Sequence, residues 1–192
     1  MKESWKTYAG DLSSALAHTM CSGPAGDDVF IEEAFEQWLS LALNVLKTRR
    51  TVYLIGNGAS ASMASHFAAD LAKNAGLKTH TFSDLSLITA VANDISYEAV
   101  FREPLRRCAE EGDLLVAISS SGMSPNIIAG VKEALVHGMH VVTLSAKASD
   151  NTLRRLGRLN FFVPVMTYGL AETAHAAILH HWMDLVQAAV SD

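Results

Sequence analysis

The clearest indication of the fold is the segment Tyr53-Leu54-Ile55-Gly56-Asn57-Gly58-Ala59-Ser60-Ala61-Ser62. An apolar run leads into it, two glycines separated by one residue interrupt it, and a helical pattern then continues to Asp70. A strand, a glycine turn and a helix in this order point backbone N–H groups at an anion. His66 and Asp70 lie four residues apart, so they share one face of the predicted helix. The stretch therefore predicts an anion site with two potential ligands on the helix behind it.

Apolar runs and helical patterns alternate along the rest of the chain. Short apolar strands alternating with helices are typical of a parallel sheet that is covered on both faces. In such a sheet the ligand lies beyond the carboxyl ends of the strands. The predicted strands are 51–55, 78–82, 114–118, 139–145 and 159–165. The predicted helices between and after them are 61–75, 86–108 with a break near Asn93-Asp94, 125–137, 150–157 and 169–190.

Two amphipathic helices, at 3–20 and 29–47, precede the first of these strands, with a loop at 22–28 between them. Such helices either cap the sheet or meet another subunit. We favour the second alternative because so much apolar surface needs a partner. The sequence is accordingly divided into a helical pair for oligomerisation, residues 1–48, and an α/β domain, residues 49–192.

Composition limits the partners and the compartment. The 192 residues carry a net charge of −5 with scattered basic residues, which argues against a nucleic-acid groove or an anionic membrane surface. No apolar run approaches the roughly 18 residues that a membrane-spanning helix needs. The start of the chain lacks a signal-peptide pattern, and Cys21 and Cys108 form no disulfide framework. We therefore expect a cytoplasmic protein without nucleic-acid or membrane partners.

The glycine turn has two possible uses. Gly56, Gly58 and Ala61 fit a dinucleotide-binding fingerprint, and Asp84 follows near the end of the next predicted strand. A pyrophosphate mostly wants bare backbone, however, whereas Asn57 and Ser60 make this turn polar. We therefore favour another ligand over NAD.

A stronger anion signal follows the strand at 114–118. Ser119, Ser120, Ser121 and Ser124 come at once, and Pro125 suits the first position of the next helix. A helix cap needs only one serine, which leaves the other three unexplained. Hydroxyls, free N–H groups and a helix N-terminus predict a cradle for a phosphate dianion without a lysine or arginine.

The last predicted helix carries Glu172 and three histidines. At about 100° per residue, His180 lies about 80° around the helix from Glu172, so the two can share a site. We interpret His175 and His181 as packing or surface residues. Residues 90–94 either end a helix or deliver the amide of Asn93 and the carboxylate of Asp94 to the strand ends.

Taken together, these motifs resemble a known family, the sugar isomerase (SIS) domains of the phosphoheptose isomerase type. The resemblance covers nearly the whole chain and is more specific than any single motif. The segments that carry it are Gly56-Asn57-Gly58-Ala59-Ser60, His66-Phe67-Ala68 with Asp70, Thr89-Ala90-Val91-Ala92-Asn93-Asp94, Gly112-Asp113-Leu114-Leu115, Ser119-Ser120-Ser121-Gly122-Met123-Ser124-Pro125-Asn126, and Glu172 with His175 and His180.

The resemblance implies a five-stranded parallel sheet in a flavodoxin-like three-layer fold, and a homotetramer with active sites between subunits. It also implies reversible conversion of sedoheptulose 7-phosphate to D-glycero-D-manno-heptose 7-phosphate, which feeds heptose synthesis for surface glycans. The alternative is a non-catalytic phosphosugar-binding or regulatory protein on the same fold.

The resemblance also implies roles for individual residues. The phosphate would be held by Ser60, Ser119, Ser121 and Ser124, with Ser120 beside them. The sugar would contact Asn57, Gly58, Ala59, Asn93 and Asp94. Zinc would be bound by His66, Asp70, Glu172 and His180. Proton transfer would fall to Asp70 and His180.

The chain departs from the family pattern where the sugar should lie. The family usually has Glu at the position of Asp70 and Gln at the position of Glu172. Its arginine after the acid is replaced by Asn74, and its Asp-Arg pair before the Gln is replaced by Gly169 and Leu170. A shorter carboxylate can lower the rate, since a misplacement near 1 Å can reduce it on the order of a hundredfold.

Overall fold

The computed structural model describes residues 4–191. Helices and strands alternate along most of this part of the chain. The helices are α1 (Trp5–Ala17), α2 (Ile31–Thr48), α3 (Ala59–Ala75), α4 (Leu85–Asp94), α5 (Ala99–Cys108), α6 (Pro125–Val136) and α7 (Tyr168–Ser191). The strands are β1 (Met20–Ser22), β2 (Asp28–Val29), β3 (Thr51–Gly56), β4 (Lys78–His80), β5 (Leu114–Ser119), β6 (His140–Ala146) and β7 (Leu159–Val163).

The described strands form one sheet in the order β2-β1-β7-β6-β5-β3-β4. Strands β4, β3, β5, β6 and β7 pair in parallel, which confirms the predicted five-stranded parallel sheet. Strands β1 and β2 add an antiparallel extension along β7. The sequence analysis predicted a loop at 22–28 and missed these two strands. With three and two residues beside Gly23 and Pro24, they are too short to show periodicity.

Apolar side chains fill the space on both faces of the sheet. One core lies between the sheet and α2, α3 and α7, and the other lies between the sheet and α4, α5 and α6. The indole rings of Trp38 in α2 and Trp182 in α7 stack at 4.2 Å, and both side chains are fully buried. This aromatic contact, with its large buried area, anchors α2 on the domain.

One predicted helix differs from the structure. The segment at 150–157 contains only a short 3-10 helix, Leu153–Arg155. The side chain of Asn151 donates to the carbonyl of Ala148, and Asn160 both accepts from and donates to the backbone of Gly157, so side chains replace the helical hydrogen bonds. The segment at 86–108 forms α4 and α5, and α4 ends at Asp94, which confirms the predicted break near Asn93-Asp94. Across the described residues, no helix combines the length and apolarity needed to cross a membrane.

The sheet has its topological switch point between β3 and β5. Strand β3 pairs with β4 on one side and β5 on the other, so the chain leaves these two strands in opposite directions. Ligands in open α/β sheets lie at this point, beyond the carboxyl ends of the strands. The glycine turn (residues 56–60) follows β3, and the serine turn (residues 119–124) follows β5.

Candidate active site

The backbone of the glycine turn requires glycine at two positions. A Cβ atom on Gly56 would lie 2.5 Å from the carbonyl carbon of Ser60, because the start of α3 folds back on the end of β3. Gly58 has φ 55° and ψ −122°, a conformation that side chains with a Cβ rarely adopt. The turn therefore brings the N-terminus of α3, with its partial positive charge, next to the serine turn.

The hydroxyl groups of the serine turn converge. The Oγ of Ser119 lies 3.2 Å from that of Ser124 and 3.5 Å from that of Ser121. Among residues 4–191, the N–H groups of Ser120, Ser121 and Ser124 donate to no other protein group. Pro125 begins α6 as predicted, with Ser124 as its N-cap residue. Free donors at a helix N-terminus are suited to a phosphate.

A cavity of about 160 Å³ lies between the two turns and α7. The residues that line it include the predicted phosphate ligands, and none of those described is a lysine or arginine. They are Asn57, Ser60, Ile118, Ser119, Ser120, Ser121, Ser124, Tyr168 and Glu172. The structure thus brings together all five predicted phosphate-site serines, and Ser60, Ser119 and Ser120 are buried.

Asn126 joins the two turns. Its Nδ2 donates to Oδ1 of Asn57 at 2.8 Å, and Nδ2 of Asn57 donates back to its Oδ1 at 2.9 Å. The hydroxyl of Tyr97 donates to the same Oδ1 of Asn57 at 3.2 Å. Two of the polar atoms of Asn57 are therefore engaged within the protein, which makes it a structural residue as well as a predicted sugar contact.

A second asparagine supports the serine turn from behind. Gly122 has φ 62°, and a Cβ atom there would lie 1.9 Å from Oδ1 of Asn151. The N–H of Leu153 donates to the carbonyl of Gly122 at 3.0 Å. The buried side chain of Asn151 also donates to Oγ of Ser145 and to the carbonyl of Ala148. These contacts hold the serine turn in one conformation.

Glu172 and Tyr168 line the α7 side of the cavity. Glu172 is half-buried and shares this cavity with the serines that are predicted to bind phosphate. The Nζ of Lys147 lies 3.1 Å from the centroid of the Tyr168 ring, in a cation–π contact at the rim of the cavity. A positive charge therefore stands beside the cavity without lining it.

A second group of polar side chains lies further along α3 and α7. The Nε2 of His66 is 3.4 Å from Oδ2 of Asp70, and Nζ of Lys73 is 3.7 Å from its Oδ1. The ring of His180 lies 5.6 Å from the ring of His66 and 4.7 Å from that of Phe67. The structure thus places His66, Asp70 and His180 in one neighbourhood between α3 and α7.

Glu172 does not share this neighbourhood within one chain. It precedes His180 by eight residues, or about 12 Å along α7. Both side chains tilt toward the N-terminus of the helix, so the tilt leaves this separation unchanged. The rotation of about 80° around the helix between Glu172 and His180 is thus accompanied by this rise along its axis. No three of the described His, Cys, Asp and Glu side chains form a ready metal cluster.

Asn93 and Asp94 lie on the exposed last turn of α4 and do not line the cavity at the serine turn. Nδ2 of Asn93 donates to Oδ1 of Asp94, and Asp94 lines a separate cavity of about 370 Å³ with His80. Gly58 and Ala59 are exposed at the start of α3. The side chain of Asp84 accepts from the N–H of Leu87 and so caps α4. This role differs from the ribose contact that a dinucleotide site would require of it.

The two remaining histidines of α7 behave as the packing interpretation expects. His175 is fully buried, and its Nε2 lies 3.2 Å from the carbonyl oxygen of Ser145. Burial lowers the pKa of His175 to about 4, because the charged imidazolium would lose its hydration. His181 lies on the exposed side of α7, where its ring packs edge-on against Phe35 at 4.6 Å.

Sequence reasoning assigned no role to several residues that shape the site, namely Tyr97, Asn126, Lys147, Asn151 and Tyr168. Asn126 directly follows the proline that begins α6, which is a local signal for a side chain near the turn. Asn151 and Lys147 belong to a different loop, and their contacts arise only when β5, β6 and α7 are packed together.

The comparisons with known proteins agree with this geometry. The family model described as "SIS domain" matches residues 31–146. A phosphoheptose isomerase of Maridesulfovibrio salexigens is 31% identical over 168 residues, which cover 81% of this chain and 82% of that protein. A phosphoheptose isomerase of Coxiella burnetii is 31% identical over 154 residues, which cover 76% of this chain and 77% of that protein.

The similarity extends to a solved structure. The phosphoheptose isomerase of Neisseria gonorrhoeae superimposes with a TM-score of 0.82 at 26% identity, over 95% of this chain and 96% of that chain. Sequence and fold thus agree over most of both proteins. The chain belongs to the SIS-domain family and, within it, to the phosphoheptose isomerases.

Proposed function

We propose that this protein is an aldose–ketose isomerase that interconverts sedoheptulose 7-phosphate and D-glycero-D-manno-heptose 7-phosphate. One observation carries the proposal. The serine-turn cavity is also lined by Ser60 of α3 and Glu172 of α7, and the group of His66, Asp70 and His180 lies further along these two helices. The chain matches phosphoheptose isomerases along most of its length. One part suits the phosphate, and the other offers groups for proton transfer.

The reaction moves hydrogen between two adjacent carbons. From ketose to aldose, a base removes a proton from C1 and O2 is protonated, which gives an enediol. A proton then returns at C2 while O1 loses its own. A carboxylate and an imidazole can carry these protons when the phosphate end of the sugar is held in place. We assign proton transfer to Asp70 and His180.

Zinc is the proposed cofactor. The two imidazoles of His66 and His180 and the carboxylate of Asp70 are donor types that zinc takes, and they lie in one neighbourhood. When bound, the metal would act as a Lewis acid on the substrate carbonyl. Glu172 is the fourth proposed ligand, and its distance along α7 from His180 favours a contribution from a second copy of the chain.

We also propose a homotetramer with active sites between subunits, in which residues 1–48 contribute to the contacts. Trp5 and Phe30 support this proposal, because they expose 79% and 82% of their surface. The two described cysteines, Cys21 and Cys108, are free thiols, which is compatible with the proposed cytoplasmic setting.

Turnover in deuterated water tests the catalytic proposal. Incubation with sedoheptulose 7-phosphate should incorporate deuterium into substrate and product through the enediol, as followed by proton NMR. The variant His180→Ala should lose this exchange, whereas His181→Ala, its exposed neighbour on α7, should keep it. Absence of exchange with any seven-carbon sugar phosphate would reject catalysis and favour a non-catalytic phosphosugar-binding protein.

Elemental analysis of protein purified without added metal tests the zinc proposal. We expect about one zinc per chain, reduced by His66→Ala but not by His18→Ala, which changes an exposed histidine of the N-terminal region. A metal-free sample with full activity would show that zinc is not required.

A further inference from the structure

A cleft of about 430 Å³ lies away from the serine-turn cavity, between the β1–β2 hairpin and the segment that follows β6. Ser22 and Gly26 line it on the hairpin side, and Ser149, Arg154 and Arg155 line it on the other side. Its volume lies in the range of small-molecule sites. We name it the arginine cleft.

The positive charge in the arginine cleft is not balanced within the described residues. Neither Arg154 nor Arg155 forms an ion pair with a described carboxylate, although the protein carries a net charge of −5. Asp27 belongs to the same hairpin, but its carboxylate lies against Gly23 and does not line the cleft. An anionic ligand would supply the missing countercharge.

Arg154 is held in place before any ligand arrives. Its guanidinium carbon lies 4.4 Å from the centroid of the Phe162 ring, and its Nη1 donates to the carbonyl of Ser149 at 2.9 Å. The other N–H groups of this guanidinium stay available for carboxylate or phosphate oxygens, which match its planar geometry. Little side-chain entropy would therefore be lost on binding.

The wall of the arginine cleft is also the support of the serine turn. The backbone N–H of Arg154 donates to Oδ1 of Asn151, and the side chain of Asn151 also lies against Gly122. The N–H of Leu153 donates to the carbonyl of Gly122, and the N–H of Thr152 donates to Sδ of Met123 at 3.4 Å. Residues 151–154 thus contact both places.

We propose that the arginine cleft is a second binding site, for a small polyvalent anion with two oxyanion groups, and that its occupancy is transmitted through residues 151–154 to the serine turn. Two guanidinium groups call for two anionic groups, either phosphates or carboxylates. Binding in the cleft is independent of the proposed function. The coupling rests on the proposed function, since it assumes that the serine turn holds the phosphate of the substrate.

Calorimetric titration with pyrophosphate and with citrate tests the binding. The titrations use the double variant Ser119→Ala/Ser124→Ala, in which binding at the serine turn is weakened. We expect one site per chain for at least one of the two anions, and the better binder shows whether phosphate or carboxylate is preferred. Adding Arg154→Gln and Arg155→Gln to this variant should lower its affinity for the anion by at least about tenfold, because two charge-assisted contacts are lost.

The control is Arg158→Gln, which removes an exposed arginine of the same segment that does not line the cleft. It should change the affinity less than about twofold, since exposed charges contribute little. The single variant Arg155→Gln, at an exposed position, serves where the double variant folds poorly, and it should also weaken binding. Affinity that is unaffected by Arg155→Gln, or no binding of either anion, overturns the proposal.

Amide hydrogen exchange tests the coupling in the same proteins. The bound anion should slow exchange of the Leu153 N–H, which is bonded to Gly122, and this protection should vanish with Arg155→Gln. Binding without protection overturns the coupling. If anions bind the unmodified protein but not the Ser119→Ala/Ser124→Ala protein, the proposal fails while the serine turn keeps its proposed role.

Discussion

The side-chain amides of Asn57 and Asn126 exchange two hydrogen bonds, at 2.9 and 2.8 Å, and so tie together the turns that follow β3 and β5. The two residues are 69 positions apart in sequence. Asn126 is buried, and its Oδ1 also accepts from the N–H of Ile127. The pair sets the distance between the glycine turn and the serine turn, and therefore the width of the cavity.

Asn126→Ala should destabilise the fold and widen the cavity. The change leaves Nδ2 of Asn57 and the buried N–H of Ile127 without their acceptor, and a buried unsatisfied group reduces stability by about 1–3 kcal/mol. We expect this loss in the free energy of unfolding measured with urea, together with weaker phosphate binding. Lys132→Ala, at an exposed position of α6, is the matched control. An equal stability of the two variants would contradict the role of the pair.

Glu172→Gln should strengthen phosphate binding. The half-buried carboxylate of Glu172 shares a cavity with the serine turn, and like charges a few ångströms apart repel by about 1 kcal/mol even in a water-like medium. We expect an affinity for inorganic phosphate about fivefold higher in metal-free protein, measured by calorimetry. Asp184→Asn, an exposed acid further along α7, should leave the affinity unchanged. Weaker binding by the Gln variant would mean that Glu172 attracts the ligand.

Asp70→Asn should abolish most turnover without preventing substrate binding. General acid–base groups contribute about 10²–10⁴-fold to rate, and the amide cannot accept the proton. The measurement is kcat with sedoheptulose 7-phosphate alongside substrate affinity. Asp70→Glu keeps the carboxylate and should retain activity. Lys73→Gln changes only the residue next to Asp70 on α3 and serves as the control. Full activity of the Asn variant would remove Asp70 from the mechanism.

Gly122→Ala should disrupt the serine turn. The new Cβ atom would meet Oδ1 of Asn151 at 1.9 Å, and φ at this position is +62°. We expect a loss of about 1–3 kcal/mol in unfolding free energy and weaker phosphate binding. Gly10→Ala provides the contrast, because it lies in α1 with open space around it and should stabilise the helix by about 1 kcal/mol. Calorimetric melting of both variants checks the opposite signs.

Stability should fall in mild acid because of His175. Burial lowers its pKa from 6.5 to about 4, so the unfolded chain binds a proton between these pH values while the folded chain does not. The unfolding free energy therefore decreases as pH drops through this window, by about 3 kcal/mol from this group, and the loss levels off below pH 4. His175→Leu should remove this part of the slope in urea titrations, whereas His18→Leu, at an exposed position, should not. Parallel pH curves for the wild type and His175→Leu would contradict the assignment.

The alternation of apolar strands and helices was sufficient to predict the five parallel strands. Buried strands such as Leu114–Ser119 are apolar up to the terminal serine, which is a local and strong signal. The edge strands Met20–Ser22 and Asp28–Val29 were missed, since pairing with β7 rather than local pattern makes them strands. The helix predicted at 150–157 was wrong, because Asn151 and Asn160 satisfy its backbone through their side chains.

Local sequence was enough to predict the serine turn, which is the proposed phosphate site. Its serines are nearly contiguous, and a strand, a turn and a helix N-terminus in succession place them together by local geometry alone. The distant groups that meet the serine turn could be identified only from the folded chain. The pairing of Asn57 with Asn126, the support of Gly122 by Asn151 and the separation of Glu172 from His180 depend on strand order and on the rise along α7. Such contacts join residues far apart in sequence, and no local pattern encodes them.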